Sequence, residues 1–232
     1  APFGAAWLAF HPRYRPLLSR FVPPLPSPPL PRPFLVQACS VGELATAKQI
    51  VREMRLRWPE TPVLLSTSTI AGFEFARTSC ADIPSIWFPF DLRCSVRRFI
   101  RVLNPRALLL VETELWPNIL RETRVAGVPS VLVNGRLSDK HQARYLRFQS
   151  LLKPIVSQLA AAGMHNQEYA DRIGALGLEP ARIRITGNTK FDGVPTSIDP
   201  ERLARLRDET GMQATDPVVV FGSTRPGDEE LA

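Results

Sequence analysis

The chain has 232 residues, 44% hydrophobic and 22% charged, which is enough apolar material for one large domain or a domain plus part of another. Its formal charge of +7 and pI near 9.9 point to an anionic partner: nucleic acid, an acidic membrane surface or a phosphorylated substrate. The cysteines Cys39, Cys80 and Cys94 neither pair nor cluster, which argues against a disulfide framework or zinc knuckle and fits a reducing cytosol, and no apolar run approaches the ~20 residues that cross a bilayer.

Residues 1–33 hold Trp7 and Phe10, a basic segment from His11 to Arg15, and a proline-dense stretch from Phe21 to Pro33. Proline at that density removes backbone donors and favours extended chain, so a stiff arm or linker is predicted rather than a sheet element. A PxxP ligand is the sharper alternative, and basic plus aromatic residues also suit an anionic membrane surface. From Phe34 a strand and helix alternation runs to residue 193, which predicts an α/β domain with a parallel sheet and helices on both faces. The strands are expected at 34–39, 62–67, 85–88, 107–112, 129–134, 159–163 and 182–186, and the helices at 43–57, 71–79, 93–103, 116–126, 138–152 and 167–176. A break at 193–199 and a helix at 200–210 form a linker (194–211). A strand from Pro217 to Phe221, with Asp228, Glu229 and Glu230 opening a helix, then reads as the start of a second α/β unit (212–232). The chain begins at Ala1 and stops at Ala232 inside that unit, so it is read as a fragment of a longer protein.

In open α/β sheets ligands bind beyond the carboxyl ends of the strands, and unusual residues gather there in this sequence. After the first strand comes Ser40-Val41-Gly42-Glu43, a small-residue turn with a carboxylate at the threshold of a helix. The helix macrodipole also favours a carboxylate in that first turn, so a capping role and a chemical role both stand open for Glu43. After the second strand, Ser66-Thr67-Ser68-Thr69 can hold a phosphate or sugar, or simply cap the next helix. After the fourth comes Glu112-Thr113-Glu114-Leu115-Trp116-Pro117-Asn118, whose carboxylates at i and i+2 share a face if they lie on a strand. Asn134-Gly135-Arg136 follows the fifth strand, with Gly135 allowing a sharp turn and Arg136 offering a planar fork for phosphate or carboxylate. His165 follows the sixth, where a lone histidine is more often structural than catalytic. Gly187-Asn188-Thr189-Lys190 follows the seventh, with Lys190 an anion contact. There is no Walker loop, GxGxxG, HExxH, GxSxG or cysteine cluster, so nucleotide hydrolysis, dinucleotide redox chemistry and zinc catalysis are disfavoured, and no metal or cofactor is called for. The arginines are dispersed over many helices rather than aligned with aromatics along one groove, which disfavours nucleic acid.

The blocks Ser40-Val41-Gly42-Glu43, Pro89-Phe90-Asp91, Glu112 to Asn118, Asn134 to Ser138, Thr186 to Asp192 and Gly222-Ser223-Thr224 resemble, in order and spacing, the 3-deoxy-D-manno-octulosonic acid (Kdo) transferase family. The resemblance implies a GT-B glycosyltransferase of lipopolysaccharide assembly, built of two Rossmann-like domains, of which 34–193 would be the acceptor-binding one and 212–232 the incomplete start of the donor domain. It implies transfer of Kdo from CMP-Kdo to a phosphorylated lipid A precursor (lipid IVA), with inversion, at the cytoplasmic face of the inner membrane. Glu43 would be the general base. Ser40, Gly42, Ser68, Thr69, Glu112, Glu114, Asn134, Arg136, Asn188 and Lys190 would line the substrate side, and Ser223 and Thr224 a donor-side loop. Two positions depart from the family pattern: Gln37 stands where a histidine is usual, and Arg225 replaces another. With the CMP-binding half expected beyond Ala232, the fragment alone is not expected to turn over.

Overall fold

The computed structural model describes residues 11–137, 149–192, 197–213, 215–222, 224 and 227. Seven parallel strands form one sheet: β1 (Phe34–Gln37), β2 (Val63–Thr67), β3 (Ser85–Trp87), β4 (Ala107–Val111), β5 (Ser130–Gly135), β6 (Ala161–Met164) and β7 (Ile183–Ile185). Their order is β3-β2-β1-β4-β5-β6-β7, so the direction of winding reverses between β1 and β4. The register sets Phe34 beside both Val63 and Ala107, which brings the carboxyl ends of the three central strands level at one rim.

The helices are α1 (Val41–Arg57), α2 (Ile70–Ser79), α3 (Arg93–Leu103), α4 (Pro117–Val125), α5 (Gln149–Val156), α6 (Gln167–Ala175) and α7 (Pro200–Thr210). Alternation along the strands divides the core between the two faces of the sheet. Phe34, Val36, Val63 and Leu65 pack with Leu44, Ala47, Val51 and Met54 of α1 on one face. Leu35, Leu64, Leu108 and Leu110 pack with Val96, Phe99 and Ile100 of α3 and Ile119 and Leu120 of α4 on the other. Local chemistry fixes the helix starts. Ser40, Thr69 and Asn166 are N-caps whose side chains accept from Glu43 N, Gly72 N and Tyr169 N. At α4 the first turn opens on Pro117, and the Asp91 carboxylate accepts from Asn118 N at 3.0 Å and Ile119 N at 2.9 Å.

Strand and helix ends fall within a residue or two of the expected ones for most elements. Two expectations are corrected. Ahead of the proline-dense stretch, Pro12–Phe21 is 3-10 helical, and it is anchored by a tilted ring pair of Phe21 with Phe90 at 4.8 Å and by buried Arg20. The aromatic pair Trp7 and Phe10 lies outside the described residues, as does most of the 138–152 helix. The part of that helix that is described, α5, runs on to Val156. Finally, residues 217–221 form no strand, and Val219 and Val220 are 77% and 83% exposed. A strand's backbone groups are satisfied only by a neighbour, and no strand partner for them lies among the described residues. The chain divides into two compact units, one through Gly193 and one from Val194. In the second, α7 is capped by Asp199 at its start and by Gly211, at φ 70°, at its end.

Candidate active site

The reversal between β1 and β4 opens a crevice at their carboxyl ends, where ligands settle in sheets of this topology. Glu43 occupies its rim from the first turn of α1. Ser40 caps α1 and its hydroxyl also meets the Glu43 side chain: Ser40 Oγ accepts from Glu43 N at 3.4 Å and donates to Glu43 Oε1 at 3.0 Å. Glu43 Oε2 accepts from Cys39 N at 2.7 Å. Burial raises the Glu43 pKa against the pull of the Cys39 amide, and neighbouring Glu114 raises it further. A carboxylate offers about four lone-pair positions. The two internal bonds leave capacity to take a proton.

Glu114 is the second carboxylate of the crevice. Trp116 Nε1 donates to its Oε2 at 2.7 Å. Burial raises the Glu114 pKa, while Trp116, Gln37 and the charge of Arg20 oppose the shift. Gln37, fully buried, donates from Nε2 to Ser68 Oγ at 3.0 Å and accepts from Ser66 Oγ at 2.8 Å. The thiol of Cys39 is pushed up to about 11, first by burial and then by Glu114 and Glu43. Glu112 and Glu114 do not share a strand face, because β4 ends at Val111 and Glu112 turns the chain at φ 64°. That turn directs Glu112 to Lys190, whose Nζ lies 3.3 Å from Glu112 Oε1.

The ends of β5, β6 and β7 converge on Asn134. Asn134, not Gly135, takes the left-handed conformation there, at φ 53°. Gly135 is needed for a different reason: a Cβ on it would lie 2.5 Å from Met164 Sδ. Asn134 Oδ1 accepts from Thr189 N at 3.0 Å and Asn188 Oδ1 accepts from Lys190 N at 3.1 Å, which seats the 3-10 turn Thr189–Phe191. His165 N donates to Gly135 O at 3.2 Å, and burial lowers the pKa of its ring. Asn134 Nδ2, His165 Nε2 and Thr189 Oγ1 are buried without a partner among the described residues. Arg136 is exposed, and its carbonyl accepts from Thr113 Oγ1.

The structure thus brings Ser40, Glu43 and Glu114 together at the β1/β4 crevice, and links Glu112, Asn134, Asn188 and Lys190 beside it. Gly42 is exposed, and a Cβ on it would meet only Ser40 Oγ, at 4.0 Å. Ser68 and Thr69 are committed internally: Ser68 Oγ accepts from Gln37, and Thr69 Oγ1 donates to Cys39 O at 2.7 Å while accepting from Gly72 N at 3.1 Å. Ser223 lies outside the described residues, and Thr224 belongs to the second unit. Arg20 is the residue that sequence reasoning missed, because proline-rich surroundings read as linker. Its signal was the basic segment before the prolines. Among the described residues no group of three or more His, Cys, Asp or Glu side chains is placed to hold a metal ion.

Residues 14–193 match the family model of 3-deoxy-D-manno-octulosonic-acid transferase (kdotransferase). The chain is 29% identical over 225 residues to 3-deoxy-D-manno-octulosonic acid transferase of Haemophilus influenzae, covering 95% of this chain and 52% of that protein. It is 30% identical over 203 residues to a bifunctional glycosyltransferase/methyltransferase of Fusobacterium nucleatum, covering 84% of this chain and 31% of that one. It therefore spans about half the length, or less, of these relatives. Among solved structures, Anabaena HepE in complex with UDP and glucose superposes with a TM-score of 0.55 at 15% identity over 78% of this chain and 50% of that one. UDP-GlcNAc 2-epimerase from Neisseria meningitidis does so at 0.53 and 10% identity over 76% and 51%. These likenesses place the first unit in the Rossmann-like architecture of the GT-B class. With the family model matched over residues 14–193, the chain belongs to the 3-deoxy-D-manno-octulosonic-acid transferase family.

Proposed function

We propose that the full-length protein is a Kdo transferase of lipopolysaccharide synthesis that moves Kdo from CMP-Kdo to a sugar hydroxyl of a phosphorylated lipid A precursor, lipid IVA, with inversion. The observation that carries this reading is Glu43, a carboxylate of raised pKa held at the β1/β4 crevice by Cys39 N–H and Ser40. Glu43 takes the proton of the acceptor hydroxyl as that oxygen forms its bond to the anomeric carbon of Kdo. The bond from that carbon to the CMP phosphate oxygen breaks on the opposite face, and its electrons leave with CMP. Burial suits Glu43 to this task by bringing its proton affinity closer to what a base at neutral pH needs. Glu114 orients beside it, Lys190 and Arg136 supply cations for phosphate or carboxylate, and the first unit is the acceptor side. Ser223 and Thr224 would belong to the donor side.

A peripheral position on the anionic cytoplasmic face of the inner membrane fits the exposed arginines of α3, Arg97, Arg98 and Arg101. Beside them an apolar groove of about 320 Å³ runs between Phe21–Leu25 and Phe99 and Val102. Among the described residues no helix is long and apolar enough to cross a membrane. One other reading has an observation behind it: bonded to the capping Ser40 and to Cys39 N, Glu43 serves the start of α1, as a non-catalytic module would require. The test is incubation of the full-length protein with a CMP-Kdo generating system and lipid IVA, with products read by mass. An adduct of one or more Kdo residues supports the proposal, and none, where an active transferase works in parallel, defeats it.

A further inference from the structure

The Pro89-Phe90-Asp91 block follows β3, and its carboxylate serves a helix far along the chain. α4 starts without a cap of its own: Trp116 stands at the N-cap and makes no side-chain capping bond, and Pro117 has no N–H to offer. The next two amides go to Asp91, which lies 27 and 28 positions before them. Asn118 N donates to Asp91 Oδ2 at 3.0 Å and Ile119 N to Asp91 Oδ1 at 2.9 Å, so both carboxylate oxygens are engaged. The Asn118 side chain answers, its Nδ2 donating to Asp91 O at 2.6 Å. Ile119 is fully buried, so its amide has no water to turn to.

This borrowed cap leaves Trp116 free for Glu114. The indole Nε1 donates to Glu114 Oε2 at 2.7 Å, and the Trp116 backbone N donates to Glu114 O at 3.2 Å. The Trp116 carbonyl accepts from Leu120 N at 3.1 Å, which joins the residue that holds Glu114 to the first turn of α4. Asp91 thus fixes that turn, the turn carries Trp116, and Trp116 holds the carboxylate. A second tie runs from the same region to α4: Arg93 Nε lies 3.2 Å from Glu122 Oε1, a helical turn beyond Asn118. That pair secures the helix without reaching the residue that holds Glu114.

We propose that Asp91 is a positioning residue of the crevice: by capping α4 from the end of β3 it sets the indole of Trp116, and through it the Glu114 carboxylate. Asp91 touches no substrate in this scheme. Its effect on kcat rests on the transferase reading, but its effect on the Trp116 indole does not.

The experiment uses full-length protein labelled with nitrogen-15 at tryptophan, with the Trp116 indole signal assigned by Trp116→Phe, alongside steady-state kinetics. In Asp91→Asn the side-chain amide turns a donor toward one of the two backbone donors. The Trp116 indole N–H then exchanges with solvent faster than in wild type, and kcat falls about fivefold with KM unchanged. Trp116→Phe lowers kcat to a similar extent, and adding Asp91→Asn to it lowers kcat no further, because both act through one bond. Arg93→Met lowers thermal stability and leaves indole exchange and kcat at their wild-type values. Wild-type exchange and kcat in Asp91→Asn, with only lower thermal stability, show a mere helix cap and overturn the proposal. So do kcat losses that multiply in the double variant, or an Arg93→Met variant that loosens the indole as much as Asp91→Asn does. If Asp91→Asn does not fold, Asp91→Glu decides, since it keeps the charge and shifts the acceptors by one methylene. Faster indole exchange with lower kcat supports positioning there, and wild-type values of both overturn it. Wild-type protein that transfers nothing defeats the transferase reading, and the indole exchange still decides the role of Asp91.

Discussion

The rims of β1/β4 and of β2 carry equally polar turns, and the fold treats them differently. At the end of β2 and just past it, Ser66, Thr67 and Ser68 are buried and Thr69 is half-buried, and their hydroxyls are spent on Gln37, Cys39 O and Gly72 N. At β1/β4 the carboxylates of Glu43 and Glu114 lose hydration yet keep lone pairs that no internal donor fills. A hydroxyl has few valences, and a tight turn uses them. An acceptor-only carboxylate near other carboxylates retains both capacity and raised proton affinity. Residue type marks a rim as interesting, and leftover bonding capacity makes it a candidate site.

The sharpest test of this contrast is Glu43→Gln in the full-length protein. Glutamine leaves the Ser40 cap on the residue 43 amide and one acceptor oxygen in place but cannot take up a proton, so transfer should fall about 10²–10⁴-fold with the melting temperature nearly unchanged. Equal activity would reduce Glu43 to a cap. On the hydroxyl side, Gly72→Ala should cost about 1–3 kcal/mol, because its Cβ would lie 2.4 Å from Thr67 Oγ1 and 2.9 Å from the backbone oxygen of Cys39. Chemical denaturation should show the loss while kcat of the folded fraction stays put.

Glu114→Gln should slow transfer about tenfold while raising stability at neutral pH. The sign follows from linkage. A carboxyl whose folded pKa is raised favours the folded state below its unfolded pKa, and that contribution is lost as pH rises through the folded pKa. The variant should therefore gain over wild type as pH rises above the ordinary carboxylate range, which melting curves across pH would read. A stability difference independent of pH would contradict the assignment. The smallest effect is expected at Thr69→Ala, which removes an N-cap and should cost about 1 kcal/mol of stability with KM and kcat intact. A raised KM instead would restore Thr69 to the substrate side.

Periodicity in the sequence determined the seven strands, because apolar runs such as Ala107–Val111 have no other way to bury both faces. Capping chemistry at Ser40-Val41-Gly42-Glu43 and in the Ser66–Thr69 turn was legible as well, since the cap and its partner are three residues apart. Local alternation failed at 217–221, where a strand needs a neighbour that the segment itself cannot supply. It failed again at Glu112, whose left-handed φ of 64° ends β4, and at Asn134, a residue type that tolerates that region and takes φ 53° where Gly135 was expected to make the turn. Of the site, the motif blocks marked Glu43 and Glu114. Only the tertiary structure separated them from Ser68 and Thr69, by showing which polar groups were already paired. It alone brought Arg20 to the crevice, since the contacts with Ser68 and Phe88 join residues 48 and 68 positions away that no local pattern links.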